Sequence, residues 1–237
     1  FMGRHAEACQ YLEESRAIAD EVGDLRRLAA ALLPLGQVYG NLGQHDRARQ
    51  VHAQAVGLAE ELGNRRQLAA ALNALAQSHR ADQELAVADA MYARVLTIAR
   101  ALDDEESIAI ALLNRAMVAI TRGDRAQARA LLQEADAIAG RIRSEPVELG
   151  LFDACAGLCA GLGEWTRCAR WFGAVQEQAV LTGIQRDAHD EAFLQPLVQQ
   201  ARDALGAEPF ANAERDGRQL RTAGTRDELR AWLAAAC

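Results

Sequence analysis

Three cysteines, Cys155, Cys159 and Cys168, are the residues here that first suggest metal chemistry. The first two are four apart and would share a helix face. A structural zinc centre takes four ligands, and no fourth stands at a fitting spacing. Cys168 falls in a sequence column otherwise filled by alanine, and Cys155 and Cys159 share columns with Leu35 and Tyr39. A buried free cysteine packs as a small hydrophobe, so the three are read as core, with no metal and no other cofactor. His5 and His45 share a column just after a turn glycine, while His52 and His79 fall in columns of large residues. None has a serine or cysteine partner at a spacing that nucleophilic catalysis would use. No catalytic residue is therefore expected, and the chain is read as not an enzyme. The acidic run Asp103-Asp104-Glu105-Glu106 lacks the alternating oxygen ligands and central glycine of a calcium loop. It reads instead as a helix start, where carboxylates meet the positive end of the helix dipole. Gly157, Gly161 and Gly163 do not form a phosphate-binding loop.

The elements that would position these side chains show themselves as a repeat of 40 residues. Glycine stands at 3, 43, 123 and 163, with Gln83 in the remaining slot. A second column is Gly23, Gly63, Asp103, Arg143 and Gly183. Two small-residue columns run in phase: Ala8, Ala48, Ala88, Ala128, Cys168 and Gly36, Ala76, Ala116, Ala156. A column of mostly large residues is Leu12, His52, Tyr92, Leu132 and Phe172. Each period holds two helical stretches: 25–41 with 45–62, 65–81 with 84–102, 105–121 with 125–143, and 145–161 with 165–182. Small residues let two helices approach, and large ones a turn away fill the grooves. Glycine in the left-handed conformation ends such helices. Pro34 lies inside a helical stretch and should kink that helix or delay its start. A half-repeat, 3–23, precedes four repeats, 24–63, 64–103, 104–143 and 144–183. Beyond them, 184–237 reads as capping helices: one over 187–205, a short one from Pro209, and one near 225–235 carrying Leu229, Trp232 and Leu233.

Leu35-Gly36-x-x-Tyr39 followed by Ala48 and Ala55 resembles the tetratricopeptide-repeat pattern. Leu75-Ala76-x-x-His79 with Ala88, and Ala116 with Ala128 and Ala135, match it in part. The 40-residue period exceeds the family's usual length of about 34, so either helices or loops must be longer. Long repeats of this kind resemble those of bacterial signal-transduction ATPases and LuxR-type regulators. Leu205-Gly206, Phe210 and Gly217-Arg218-Gln219-Leu220 look like the tail of that region. The resemblance implies an all-α fold: a right-handed superhelical solenoid of helical hairpins with period 40, closed by C-terminal capping helices. It also implies that the first helix of each pair lines a concave groove. Aligned on the Gly36 column, this places Gln37, Asn41, Asn73, Gln77, Arg80, Asn114, Met117 and Asp153 near that groove. Amide side chains can donate to and accept from an extended peptide backbone. Arg80 is the nearest basic group for a peptide carboxylate.

Composition narrows the partners. A net charge of −7 and a pI near 5.3 argue against direct nucleic-acid binding. All 26 basic residues are arginine, which points to a high-GC genome. No run of about 18 apolar residues suggests a membrane span, and no export signal opens the chain. The five cysteines are sparse and odd in number, which suits reduced thiols in a cytoplasmic protein. The opening Phe1-Met2-Gly3 reads as a fragment, and the unpaired first helix suggests a homodimer through its exposed face. The expected function is a non-catalytic interaction scaffold or regulatory module from a larger bacterial signalling or transcription regulator. Its partner would be a protein or peptide. The alternative is an effector-sensing domain that holds a small molecule or peptide in the groove.

Overall fold

The computed structural model describes residues 2–184, 186–220 and 222–235, with side chains over 5–184, 186–220 and 226–235. Phe1 of the opening tripeptide and Cys237, the fifth cysteine, lie outside the described residues. Among those residues the chain is all-helical: α1 (Met2–Glu21), α2 (Leu25–Asn41), α3 (His45–Glu61), α4 (Arg65–Ala81), α5 (Leu85–Ala101), α6 (Glu105–Thr121), α7 (Arg125–Ile142), α8 (Glu145–Gly161), α9 (Trp165–Thr182), α10 (Ala188–Leu205), α11 (Ala207–Arg218) and α12 (Thr222–Ala234).

The long period has a simple origin. Helices α2 to α6 each hold 17 residues, and three residues join each to the next. One helix and one turn take 20 residues, and two of them make the repeat of 40. The extra length over a 34-residue repeat therefore lies in the helices, not the loops.

The turns share one geometry. Gly43 takes φ 73°, and the Gln44 N–H donates to the Tyr39 carbonyl at 2.8 Å. This six-residue closure satisfies a carbonyl that the helix end would leave unpaired. It recurs as Asn64 to Ala59, Glu84 to His79, Asp124 to Ala119 and Glu164 to Cys159, at 2.9–3.0 Å. The residue that closes one helix also opens the next. Asp24, Asn64, Asp104 and Asp124 each accept, on a side-chain oxygen, the backbone N–H three residues on, at 3.0–3.2 Å. Asp104 belongs to the acidic run, and its neighbours are used as well. Glu105 accepts from Arg141 at 2.6 Å, and Glu106 accepts from the Ser144 hydroxyl at 2.7 Å.

Three turns put a side chain where glycine is favoured: Gln83 (φ 62°), Asp103 (φ 51°) and Arg143 (φ 50°). The left-handed conformation costs an L-residue about 1–2 kcal/mol, and glycine returns part of that gain through its freer unfolded chain. Arg143→Gly is expected to raise stability by about 0.5–1 kcal/mol. The readout is a higher urea midpoint with an unchanged m-value; a lower midpoint would rule out relief of strain.

Pro34 does not delay its helix. α2 begins at Leu25, with Asp24 capping it, and continues through Pro34 to Asn41. The start is held by the cap ten residues upstream, and the neighbours of Pro34, Leu32 and Leu35, are fully buried. Packing on this face outweighs the one hydrogen bond that proline forfeits.

Contacts divide the chain into two compact units, residues 1–103 and 104–237. In the first, α1 to α5 pack each on the next. Leu28, Ala29, Leu32, Ala55 and Leu58 form one core cluster, and Leu35, Tyr39 and Ala48 another. Gly36 is small for a visible reason: a Cβ there would fall within the imidazole of His52, 3.0 Å from Cε1 and nearer still to Nε2. In the second unit, α6 to α9 continue the antiparallel pairing, α10 lies on α8 and α9, α11 on α9, and α12 on α7. The small-residue crossing extends to α10, where the Phe193 ring lies against Gly157.

Candidate interaction surfaces

The expected groove residues fall into two groups, one in each unit. In the first unit, Gln37 and Asn41 are exposed on α2, and Asn73 and Gln77 are half-buried on α4, a helix that α2 touches. These four amides supply donors and acceptors to one pair of neighbouring helices. Arg80, on the last turn of α4, is buried. In the second unit, Asn114 and Met117 on α6 and Asp153 on α8 are all buried.

Asp153 is committed to an ion pair. Arg186 donates to its carboxylate twice, Nε to Oδ2 at 2.6 Å and Nη2 to Oδ1 at 2.8 Å. The same guanidinium donates to Glu191 at 2.5 Å and lies 5.8 Å from the centre of the Phe172 ring. Burial pushes the Asp153 carboxyl up to about 6, against the pull of Arg186 and with a further push from Asp190 and Glu191. One guanidinium thus serves two acids, so its attraction does not offset the desolvation of Asp153. The pair ties α8 to the segment that leads into α10.

The cysteines sit in the core. Cys155, Cys159 and Cys168 are fully buried, and burial drives all three thiols upward, Cys168 to about 12. Thiols held in that state are inert packing groups. In the first unit, the Tyr39 hydroxyl donates to Glu13 on α1, and burial together with that bond raises the phenol to about 12. Near the turn after α4, Arg49 donates to Asp82 at 2.6 Å and to Glu84 at 3.0 Å, and His79 meets the same Glu84. Tyr11 (71%) and Ile18 (59%) on α1 and Val22 (66%) just beyond it are exposed, although one period on Val51, Leu58 and Leu62 are covered.

The densest set of polar and aromatic contacts is at the seat of α12. Leu229, Trp232 and Leu233 are buried there. Trp232 meets Trp171 edge-on, with centroids 4.8 Å apart, and its indole N–H donates to Glu164 at 3.0 Å. The Arg129 guanidinium lies 4.5 Å from the centre of the Trp232 ring system. It also donates to the Trp232 carbonyl at 2.7 Å, and Gln133 donates to the Leu233 carbonyl at 2.7 Å. Those carbonyls belong to the end of α12, where no intrahelical donor remains. Arg230 reaches Asp136 at 2.9 Å, Arg226 pairs with Glu148, and Arg170 holds Glu228 through two bonds of 3.0 and 3.1 Å. Neither Arg129 nor Asp136 stood out in the sequence. The usable signal was Trp232, one of three tryptophans, with Arg226 and Arg230 one turn apart on its helix.

Antiparallel helical hairpins, packed through columns of small residues and closed by three-residue turns, define an α-helical repeat protein. The tetratricopeptide-repeat family model matches residues 1–61, which hold α1, α2 and α3. The crystal structure of BtubC (BKLC) from P. vanneervenii is similar over 100% of this chain and 93% of its own, with TM-score 0.58 and 19% identity. At that identity the likeness speaks for the fold. No curated protein matches. Residues 1–61 thus match the tetratricopeptide repeat, and the whole chain shares a helical-repeat fold with that neighbour. Such repeats generally mediate protein–protein interactions. No helix among the described residues is long and apolar enough to cross a membrane.

Proposed function

We propose that this chain is a non-catalytic interaction module, a cytoplasmic part of a larger bacterial signalling or transcription regulator, that binds an extended peptide segment of a protein partner. In this reading residues 3–183 are the repeat array and 184–237 its cap. The observation that carries it is the amide pair Gln37 and Asn41, exposed on α2 within the stretch that the tetratricopeptide model matches. Asn73 and Gln77 on the adjoining α4 extend the same polar strip. Side-chain amides along one groove suit a peptide main chain, which presents both donors and acceptors. Curvature of a repeat stack responds to binding because each hairpin touches only its neighbours.

The alternative reading, a small-molecule sensor, has less support. The hollows beside Gly43–Arg47 and Gly163–Arg167 are wide, about 600 and 360 Å³, but open to solvent, and the more enclosed cleft between α8 and α9, lined in part by Phe152, Val175 and Leu220, holds about 30 Å³. That is room for a water or two, against roughly 300–1,000 Å³ for a ligand pocket.

A phage-displayed library of 12-residue peptides, panned on the immobilised chain, tests the groove. Selected peptides are expected to lose at least tenfold in affinity to a chain carrying Gln37→Arg and Asn73→Arg. Equal binding to both chains would remove this strip from the interaction surface. Stabilisation of the chain in a metabolite panel, with no peptide selected, would favour the sensor.

A further inference from the structure

We propose that the face of α7 and α9 beneath α12 is a second docking site. Its ligand is an amphipathic helix bearing a basic residue, an arginine one turn on and a tryptophan anchor, and α12 is its resident, displaceable occupant. The seat recognises α12 as a binding site recognises a ligand. Arg129 and Gln133 grip main-chain carbonyls, a feature that every helix end offers. Selectivity comes from Trp171 and Glu164, which take the two sides of the Trp232 indole. It comes also from Asp136, buried on α7 and answered by Arg230. With α12 absent, Asp136, Glu148 and Arg170 would lose Arg230, Arg226 and Glu228, and charge complementarity calls for a helix that returns two arginines one turn apart and an acid.

Displacement is a matter of how α12 is attached. It is a 13-residue helix, joined to α11 by residues 219–221. A helix of that length is marginal alone in water, so its order depends on the seat. Among its described side chains, the buried apolar ones are Leu229, Trp232 and Leu233. By contrast, α11 is locked to α9 by glycine-mediated backbone contact. A partner helix of the same pattern would therefore exchange with α12 while the rest of the unit stays folded.

Two measurements on the full chain test this. A fluorescein-labelled peptide of residues 222–235 is titrated against the wild-type chain and against Trp232→Ala, whose own α12 is weakened. Binding to the variant is expected to be at least tenfold tighter than to the wild type, and a Trp232→Ala peptide should not bind either. Equal affinity for both chains, or no binding to a variant that keeps its helical circular dichroism, overturns the proposal. Hydrogen exchange of the unmodified chain is the second measurement and needs no variant. Amides of α12 should exchange at least tenfold faster than those of α9. Exchange of α12 as slow as that of α9 means that it does not leave its seat, and the site is then structural only.

Discussion

Alanine in place of Gly217 is expected to cost the protein roughly 3 kcal/mol, the upper end of what overpacking usually costs. Gly217 on α11 and Gly173 on α9 face each other's backbones. A Cβ on Gly217 would stand 2.7 Å from the Arg170 carbonyl carbon and closer still to its oxygen. A Cβ on Gly173 would stand 2.9 Å from the Glu214 carbonyl carbon, again nearer to the oxygen. Neither neighbour is a flexible side-chain tip, so only a shift of the whole helix relieves the clash. Such a shift would loosen Phe210 and Ala213, both buried on α11. Gly173→Ala should cost a similar amount. The double variant is expected to lose much less than the two single losses together, because one displacement of α11 relieves both clashes. Urea unfolding of the two single variants and the double measures this. A Gly217→Ala midpoint within error of wild type, or full additivity, would show that the helices are not in backbone contact.

Arg186→Met should be at least as damaging, and its damage should depend on pH. Removing one partner of a buried pair leaves the other uncompensated, at a cost of about 3–5 kcal/mol. Asp153 is the partner left behind, buried and already raised to about 6 with Arg186 in place. At pH 8 the variant must hold a buried carboxylate or take up a proton against the solution. At pH 5 the carboxyl is protonated at little cost, so the loss should shrink. Asp153→Asn added to Arg186→Met should recover part of the stability at pH 8. A loss that is the same at both pH values, with no rescue, would sink the idea.

The wild-type chain carries the same linkage. A carboxyl whose pKa is raised on folding binds its proton more tightly in the folded state. Its contribution is therefore fully present below the unfolded value, near 3.8, and is lost as pH rises through about 6. Glu13 and Glu191, whose values are lowered, act in the opposite sense and lose their contribution as pH falls. Comparing the pH slope of the wild type with that of Asp153→Asn over pH 4–6 isolates the first effect.

Much of the fold was written locally. The glycine columns at 43, 123 and 163 and at 23, 63 and 183 mark turns that all take positive φ. Left-handed closure is a property of a few consecutive residues, so it leaves a trace that recurs with the period. Gln83, Asp103 and Arg143 take the same conformation without glycine, and only their phase in the repeat disclosed them. The small columns were legible for a similar reason. Gly36 beneath His52 is a contact between adjacent helices, and the same two columns hold Ala76 with Tyr92, Ala116 with Leu132 and Ala156 with Phe172.

What the tertiary structure alone decided lies where the period ends or partners are far apart in sequence. Asp153 read as a groove residue, because its column said so, yet Arg186, 33 residues on, draws it into a buried pair. The Gly173–Gly217 crossing joins α9 to a helix outside the repeat, so no column announced it. The seat of α12 depends on Arg129, which is 103 residues from the carbonyl it holds. Among 26 arginines of identical chemistry, nothing in the order of residues says which acid or ring each will meet. Turns and helix crossings between neighbours are dictated by short stretches of chain, whereas ion pairs and docked helices are selected by whatever surface folding brings within reach.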